Sequence, residues 1–136
     1  MDDVFQTLRV SAAGLKTQGT RLRVIAENVA NAGSMATAPG EVPYRRKTVT
    51  FRNVLDRDLG VETVRVHRIA DDPSPFARRF DPSHPAADGD GYVLASNVNG
   101  LIEMGDMREA QRSYEANLNV IKASKAMLTE TIEILR

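Results

Sequence analysis

The feature that most constrains how this chain folds is a heptad spacing of apolar and small residues at each of its ends. Phe5, Leu8, Ala12, Leu15, Gly19, Leu22, Ala26 and Val29 follow one another at alternating steps of three and four. That is the repeat of a helix packed along one seam against other helices. Gln6, Arg9, Lys16, Arg21, Arg23 and Glu27 fill positions between them, so the apolar stripe is narrow and has a polar surround. The pattern predicts one helix over residues 1–32, with Asn31 and Gly33 supplying its stop. Small residues at Ala12, Gly19 and Ala26 allow a neighbouring helix to come close, while Gly14 and Gly19 lower intrinsic helicity.

The spacing returns near the other end. Asn99 is a good N-cap and Glu103 a favourable first-turn charge. From there Met104, Met107, Gln111, Tyr114, Leu118, Ile121, Lys125, Leu128, Ile132 and Leu135 repeat the steps of three and four, which predicts a second helix over 99–136. Polar residues on a seam, here Gln111 and Lys125, lower stability but restrict register and partner choice; Lys125 has the alternative of snorkelling its ammonium to water. About 30 residues per helix make rods on the order of 45 Å, longer than a domain of this size needs. Chain connectivity brings the second helix back antiparallel to the first. Each large seam residue contributes roughly 1.5–3 kcal/mol before entropy is counted, so a lone pair of helices is marginal and further helices must come from neighbours. Self-assembly, or assembly with related subunits, is the expectation.

Between the helices, residues 33–98 read as a loop-rich small β unit. Gly33, Ser34, Thr37, Pro39, Gly40 and Pro43 are breakers. Alternation over Arg45–Phe51 and Val64–His67 predicts short strands, with Phe76–Phe80 and Tyr92–Ala95 as weaker candidates. Asp72-Pro73-Ser74-Pro75, Asp81-Pro82, His84-Pro85 and Asp88-Gly89-Asp90-Gly91 are turn chemistry. The expected fold class is therefore mainly α with a small β insert (α+β), its long terminal helices forming an antiparallel coiled coil. Asn28 and Asn31, three apart, share a face in the last turn of the first helix. Two compatible roles follow: capping the helix end, or hydrogen-bonding the adjoining loop or another subunit. Arg45, Arg46 and Lys47 either pair with acidic groups on a neighbour or form a solvated strand face.

Composition removes most other functions. The 18 basic and 18 acidic residues cancel, so the basic footprint of a nucleic-acid or anionic-membrane binder is missing and the expected partner is protein. Aromatic content is 5% without Trp, few rings for base stacking or ligand pockets. Without Cys, thiolate metal sites, Cys nucleophiles and disulfides are excluded. His84, Asp88 and Asp90 invite a Ca²⁺ reading, but Tyr92 stands fifth in the candidate loop and the Glu that an EF-hand needs is missing, so the turn reading wins. His67 has no nucleophile or carboxylate partner to work with. The expectation is no catalysis, no cofactor and no metal. Met1-Asp2-Asp3-Val4-Phe5 is acidic and no stretch reaches about 20 apolar residues, so neither a cleaved signal peptide nor a membrane span is expected.

Several segments resemble the bacterial flagellar rod and hook family. At the N-terminal end these are Ser11-Ala12-Ala13-Gly14-Leu15 and Arg21 through Asn31. Further on they are Pro43-Tyr44-Arg45-Arg46-Lys47, Asp72–Phe76, Asp88–Val93, Asn97-Val98-Asn99, Glu103-Met104 and Ser113-Tyr114-Glu115-Ala116-Asn117. The short middle is similar to that of the proximal rod members rather than the larger distal-rod and hook members. The resemblance implies a mechanical element of the basal-body rod in the periplasm, carrying torque toward the hook and required for flagellum assembly and motility. It implies export unfolded through the flagellar type III apparatus, and as partners other rod proteins and copies of the chain itself. Asn28, Asn31, Tyr44, Arg45, Arg46, Asn97, Asn99 and Asn117 are then candidates for junction or subunit contacts. A rival from another class is a soluble coiled-coil adaptor that dimerises through the same seams and binds a protein partner through residues 71–91.

Overall fold

A computed structural model describes residues 2–136. The order is α1 (Asp2–Ala30), β1 (Lys47–Asp56), β2 (Val61–Asp71), β3 (Ala77–Phe80), β4 (Tyr92–Ala95) and α2 (Gly100–Ile134). The fold is α+β, with two helices and two two-stranded sheets, β1-β2 and β3-β4. The four residues between β1 and β2 are too few for a crossover, so that pair is an antiparallel hairpin. Asn99 caps α2 as its residue type predicts, its Oδ1 accepting from the Leu101 and Ile102 amides at 3.1 and 3.5 Å. The chain divides into two compact units, each assembled from segments far apart in sequence.

The first unit comprises Met1–Leu22, Val49–Arg68 and Arg108–Arg136. The hairpin tip rests on α1 through polar contacts: Gln6 Nε2 donates to the Leu59 carbonyl at 3.0 Å, and Arg9 lies 3.8 Å from Asp56. Along α1 the buried residues are Ser11, Gly14 and Thr17; along α2 they are Ala110 and Ser124. These small residues let the two helices approach closely. A Cβ built on Gly14 would lie 2.8 Å from Asn117 Nδ2, one on Gly19 would lie 3.9 Å from the Tyr114 ring, and Arg21 sits 3.5 Å from Glu109.

The second unit comprises Arg23–Thr48 and Ile69–Met107. Its β hairpin pairs Ala77 with Ala95 through Phe80 with Tyr92. The start of the breaker segment, Ser34–Ala36, lines the other edge of β4. Met35 bridges Ala95, the Ala36 amide donates to the Leu94 carbonyl at 3.0 Å, and the Ser96 amide donates to the Ser34 carbonyl at 2.9 Å. This seats Ala36 against Ala86 and Val93, with Met35 and Ala87 packed alongside, in a core of mostly small side chains. Gly91 adopts φ +84° and has Phe80 Cε2 only 2.9 Å from where a Cβ would lie, so the turn into β4 requires glycine.

Candidate functional site

The second unit holds a buried polar junction where α1, the entry to β1 and the start of α2 meet. Asn28 is at its centre, 1% exposed. Its Oδ1 accepts from the Tyr44 hydroxyl at 2.7 Å and from the Lys47 amide at 3.0 Å. Its Nδ2 donates to the Lys47 carbonyl at 2.8 Å and to Glu103 Oε2 at 3.2 Å. All four hydrogen-bonding positions of the carboxamide are used. By bonding both the N–H and the C=O of Lys47, the side chain acts as a strand edge would, and it fixes where β1 begins.

Glu103 is fully buried, and its other oxygen, Oε1, accepts from Arg46 Nε. A buried carboxylate is tolerable only when paired and hydrogen-bonded. Arg46 supplies the charge and reaches two further carboxylates, Asp72 at 3.1 Å and Asp106 at 3.5 Å. Burial works against the Arg46 guanidinium, but the hydrogen bonds it donates to Glu103 and Asp72 outweigh it and its pKa lies above the ordinary arginine value. The Arg46 amide donates to Asn97 Oδ1 at 2.6 Å, and Asn97 Nδ2 in turn donates to the carbonyls of Asp72 and Ser74. Arg45 donates to those same two carbonyls at 2.8 and 3.0 Å and stacks 4.2 Å over the Phe76 ring. The Ser74 hydroxyl and amide, joined by Arg46, hold the Asp72 carboxyl down at about 2. Burial, with the negative charge of Glu27 second, raises the Tyr44 phenol. Lys47 is raised chiefly by its hydrogen bond to Glu27, 2.6 Å away.

Five of the residues singled out from sequence thus converge: Asn28, Tyr44, Arg45, Arg46 and Asn97. Three do not. Asn31 donates to the Glu27 carbonyl and accepts from the Ser34 hydroxyl at the end of α1. Asn99 is the α2 cap, and Asn117 lies in the first unit against Gly14. Sequence reasoning missed Glu103 and Asp72. Glu103 reads as an ordinary first-turn acid, and only its place facing Asn28 across the chain reveals its burial. Asp72 reads as turn chemistry, which it is, while also facing Arg46.

Of the seam positions, Phe5, Ala12, Ala26, Met104, Gln111, Lys125, Ile132 and, just past the end of α2, Leu135 are exposed. Leu8, Leu15, Gly19, Leu22, Val29, Met107, Tyr114, Leu118, Ile121 and Leu128 are half-buried. The fully buried positions are others: Ser11, Gly14, Thr17, Val24, Ile25 and Asn28 on α1, and Glu103, Ala110 and Ser124 on α2, most of them one residue N-terminal of a seam position.

His67 is exposed on β2, and His84 Nδ1 accepts the Ala86 amide inside its turn. Asp88 accepts the Asp90 and Tyr92 amides, each at 2.9 Å. Among the described residues no group of three or more His, Asp or Glu is placed to hold a metal ion, and no helix is long and apolar enough to cross a membrane. The junction fixes backbone geometry; it presents no acid–base pair to a substrate.

Residues 90–134 match the family described as "Flagellar basal body rod FlgEFG protein C-terminal". The whole chain is 48% identical to the flagellar basal-body rod protein FlgC of Agrobacterium fabrum, covering 98% of that protein. It is 37% identical to the protein of that name in Borreliella burgdorferi, over 98% of each, and 37% identical to that in Bacillus subtilis, over 96% of this chain and 97% of the relative. Identity of this level along the full length places the chain in the FlgC family of flagellar basal-body rod proteins.

Proposed function

We propose that the chain is a structural subunit of the rod of the flagellar basal body, assembling with other rod proteins and with copies of itself. It is a mechanical part and not an enzyme. The observation that carries this reading is the full-length relationship to basal-body rod proteins; the adaptor alternative has no such support.

The finer reading is that α1 and α2 form an antiparallel coiled coil, residues 1–32 against 99–136, around the β unit at 33–98. The contacts of Gly14 with Asn117, Gly19 with Tyr114, Arg21 with Glu109 and Asn28 with Glu103 support it. On this reading the expected apolar seams face neighbouring subunits, and the saturated junction keeps the β unit fixed to the helices when the rod transmits torque. The periplasm is the working compartment. Export proceeds through the flagellar type III apparatus without a cleaved signal, with the export information near the N-terminus.

The test is to delete the chain from its source cells and restore it with a small epitope tag. Deletion should abolish hooks and swimming, and purified basal bodies from restored cells should contain the tagged chain. Normal hooks in the deletion strain would sink the reading. For export, residues 1–30 fused to a reporter should direct it out of the cell; a reporter retained in the cytoplasm removes that part alone.

A further inference from the structure

The helix α2 carries a second heptad line. Ala116, Val120, Ala123, Met127, Glu130 and Ile134 succeed one another at steps of four and three, and every one is exposed. Met127 is 57% and Ile134 82% exposed. Beside this line runs Asn117, Ile121, Ser124 and Leu128, which are buried or half-buried. A helix with one covered line and a mostly apolar bare line beside it has a second face free for a further neighbour.

The same unit contains a groove of about 440 Å³ between α1 and β2, floored by Ala12, Ala13, Thr20, Val64 and Val66. A second recess at Phe5, Leu8 and Leu59 continues it, sharing Arg9 and Ala12. From Phe5 to Thr20 the groove follows α1 for about 23 Å, the length of a four-turn helix. Val120 to Ile134 is a segment of about 21 Å at the same rise. The charges also match. Arg9 is engaged by Asp56, leaving Lys16 and Arg65 as exposed cations on the groove wall. Glu130 is the only charged residue in the bare line of α2, and Lys122 and Glu133 lie on one flank of that line.

We propose that the Val120–Ile134 face of α2 in one copy seats in the Phe5–Thr20 groove of a second copy, with Glu130 against Lys16. This rests on the rod-subunit reading and names the occupant of the groove. Every copy carries one groove and one bare line, so the contact is heterologous and joins copies head to tail, as a rod requires. Apolar anchors along one helical face with a single charge pair to set register is the helix-in-groove mode of recognition.

The chain has no cysteine, so a single introduced pair reports without background. Lys16→Cys and Glu130→Cys, co-expressed as separate copies, should give a disulfide-linked dimer in purified basal bodies, and neither variant alone should give as much. Separately, Lys16→Glu and Glu130→Lys should each lower incorporation about tenfold through like-charge contact, and the double exchange should restore it. Both residues are exposed, so circular dichroism of the secreted single variants should be unchanged. If the chain is present in basal bodies yet forms no dimer and the exchange does not rescue, the docking proposal falls and the rod reading stands. A cross-linked band containing a different protein overturns the assignment to a second copy. Absence of the chain from basal bodies overturns both.

Discussion

Asn28 on α1 donates its amide to Glu103 on α2 at 3.2 Å, and both side chains are shut away from solvent. Through this bond the carboxamide that fixes the start of β1 also anchors the buried carboxylate that holds Arg46. Removing any one of the three residues strands the others. Arg46→Ala leaves an unpaired buried carboxylate, a change that typically costs about 3–5 kcal/mol, and Asn28→Ala leaves several unpaired groups at about 1–3 kcal/mol each. Urea denaturation of the purified protein should show both midpoints well below that of the wild type. Wild-type midpoints for both variants would mean that the junction adds nothing to folding.

Acid should loosen the same region. The folded-state pKa of Asp72 lies at about 2, below its ordinary value of 3.8. A depressed carboxylate stabilises the fold above its unfolded pKa, and that stability is lost as the pH falls through the folded value. The melting temperature should therefore drop between about pH 4 and pH 2, and Asp72→Asn should flatten that part of the profile. An identical acid limb in the variant would assign the loss to other carboxylates.

At Gly14 two effects oppose each other. Alanine there gains about 1 kcal/mol of helix propensity, but its Cβ would meet Asn117 Nδ2 at 2.8 Å, and overpacking costs about 1–3 kcal/mol. Gly14→Ala should be destabilising in the native background and stabilising in Asn117→Ala, where the clash is gone. A double-mutant cycle in thermal melting checks the change of sign.

Leu22 and Leu118 test the seams as assembly surfaces. Both are half-buried in the single chain, and an unpaired Asp enclosed there by neighbouring helices would lose several kcal/mol of solvation. Leu22→Asp and Leu118→Asp should be exported yet missing from basal bodies, with hooks and swimming lost. Exposed Arg23→Ala is the control, since such changes usually shift stability by less than about 0.5 kcal/mol. Asp variants that assemble and swim like the control would show that the seams face nothing.

What the sequence determined by itself is whatever depends on local chemistry and period. The steps of three and four from Phe5 to Val29 and from Met104 to Leu135 sufficed for both helices, and Asn99 marked where α2 begins. The run Tyr92–Ala95 was legible as a strand because its alternation is bounded by turn residues. The tertiary structure decided what depends on who faces whom. Periodicity places a stripe to within one residue, about 100° of helix rotation. The chain buries Gly14 and Ala110 rather than the larger Leu15 and Gln111 beside them, because small side chains permit close approach of the helix backbones. Likewise nothing local distinguishes Glu103 from any first-turn acid. Its burial follows from the meeting of Asn28, Arg46 and the start of α2, 75 residues from Asn28 in sequence and in direct contact with it in space.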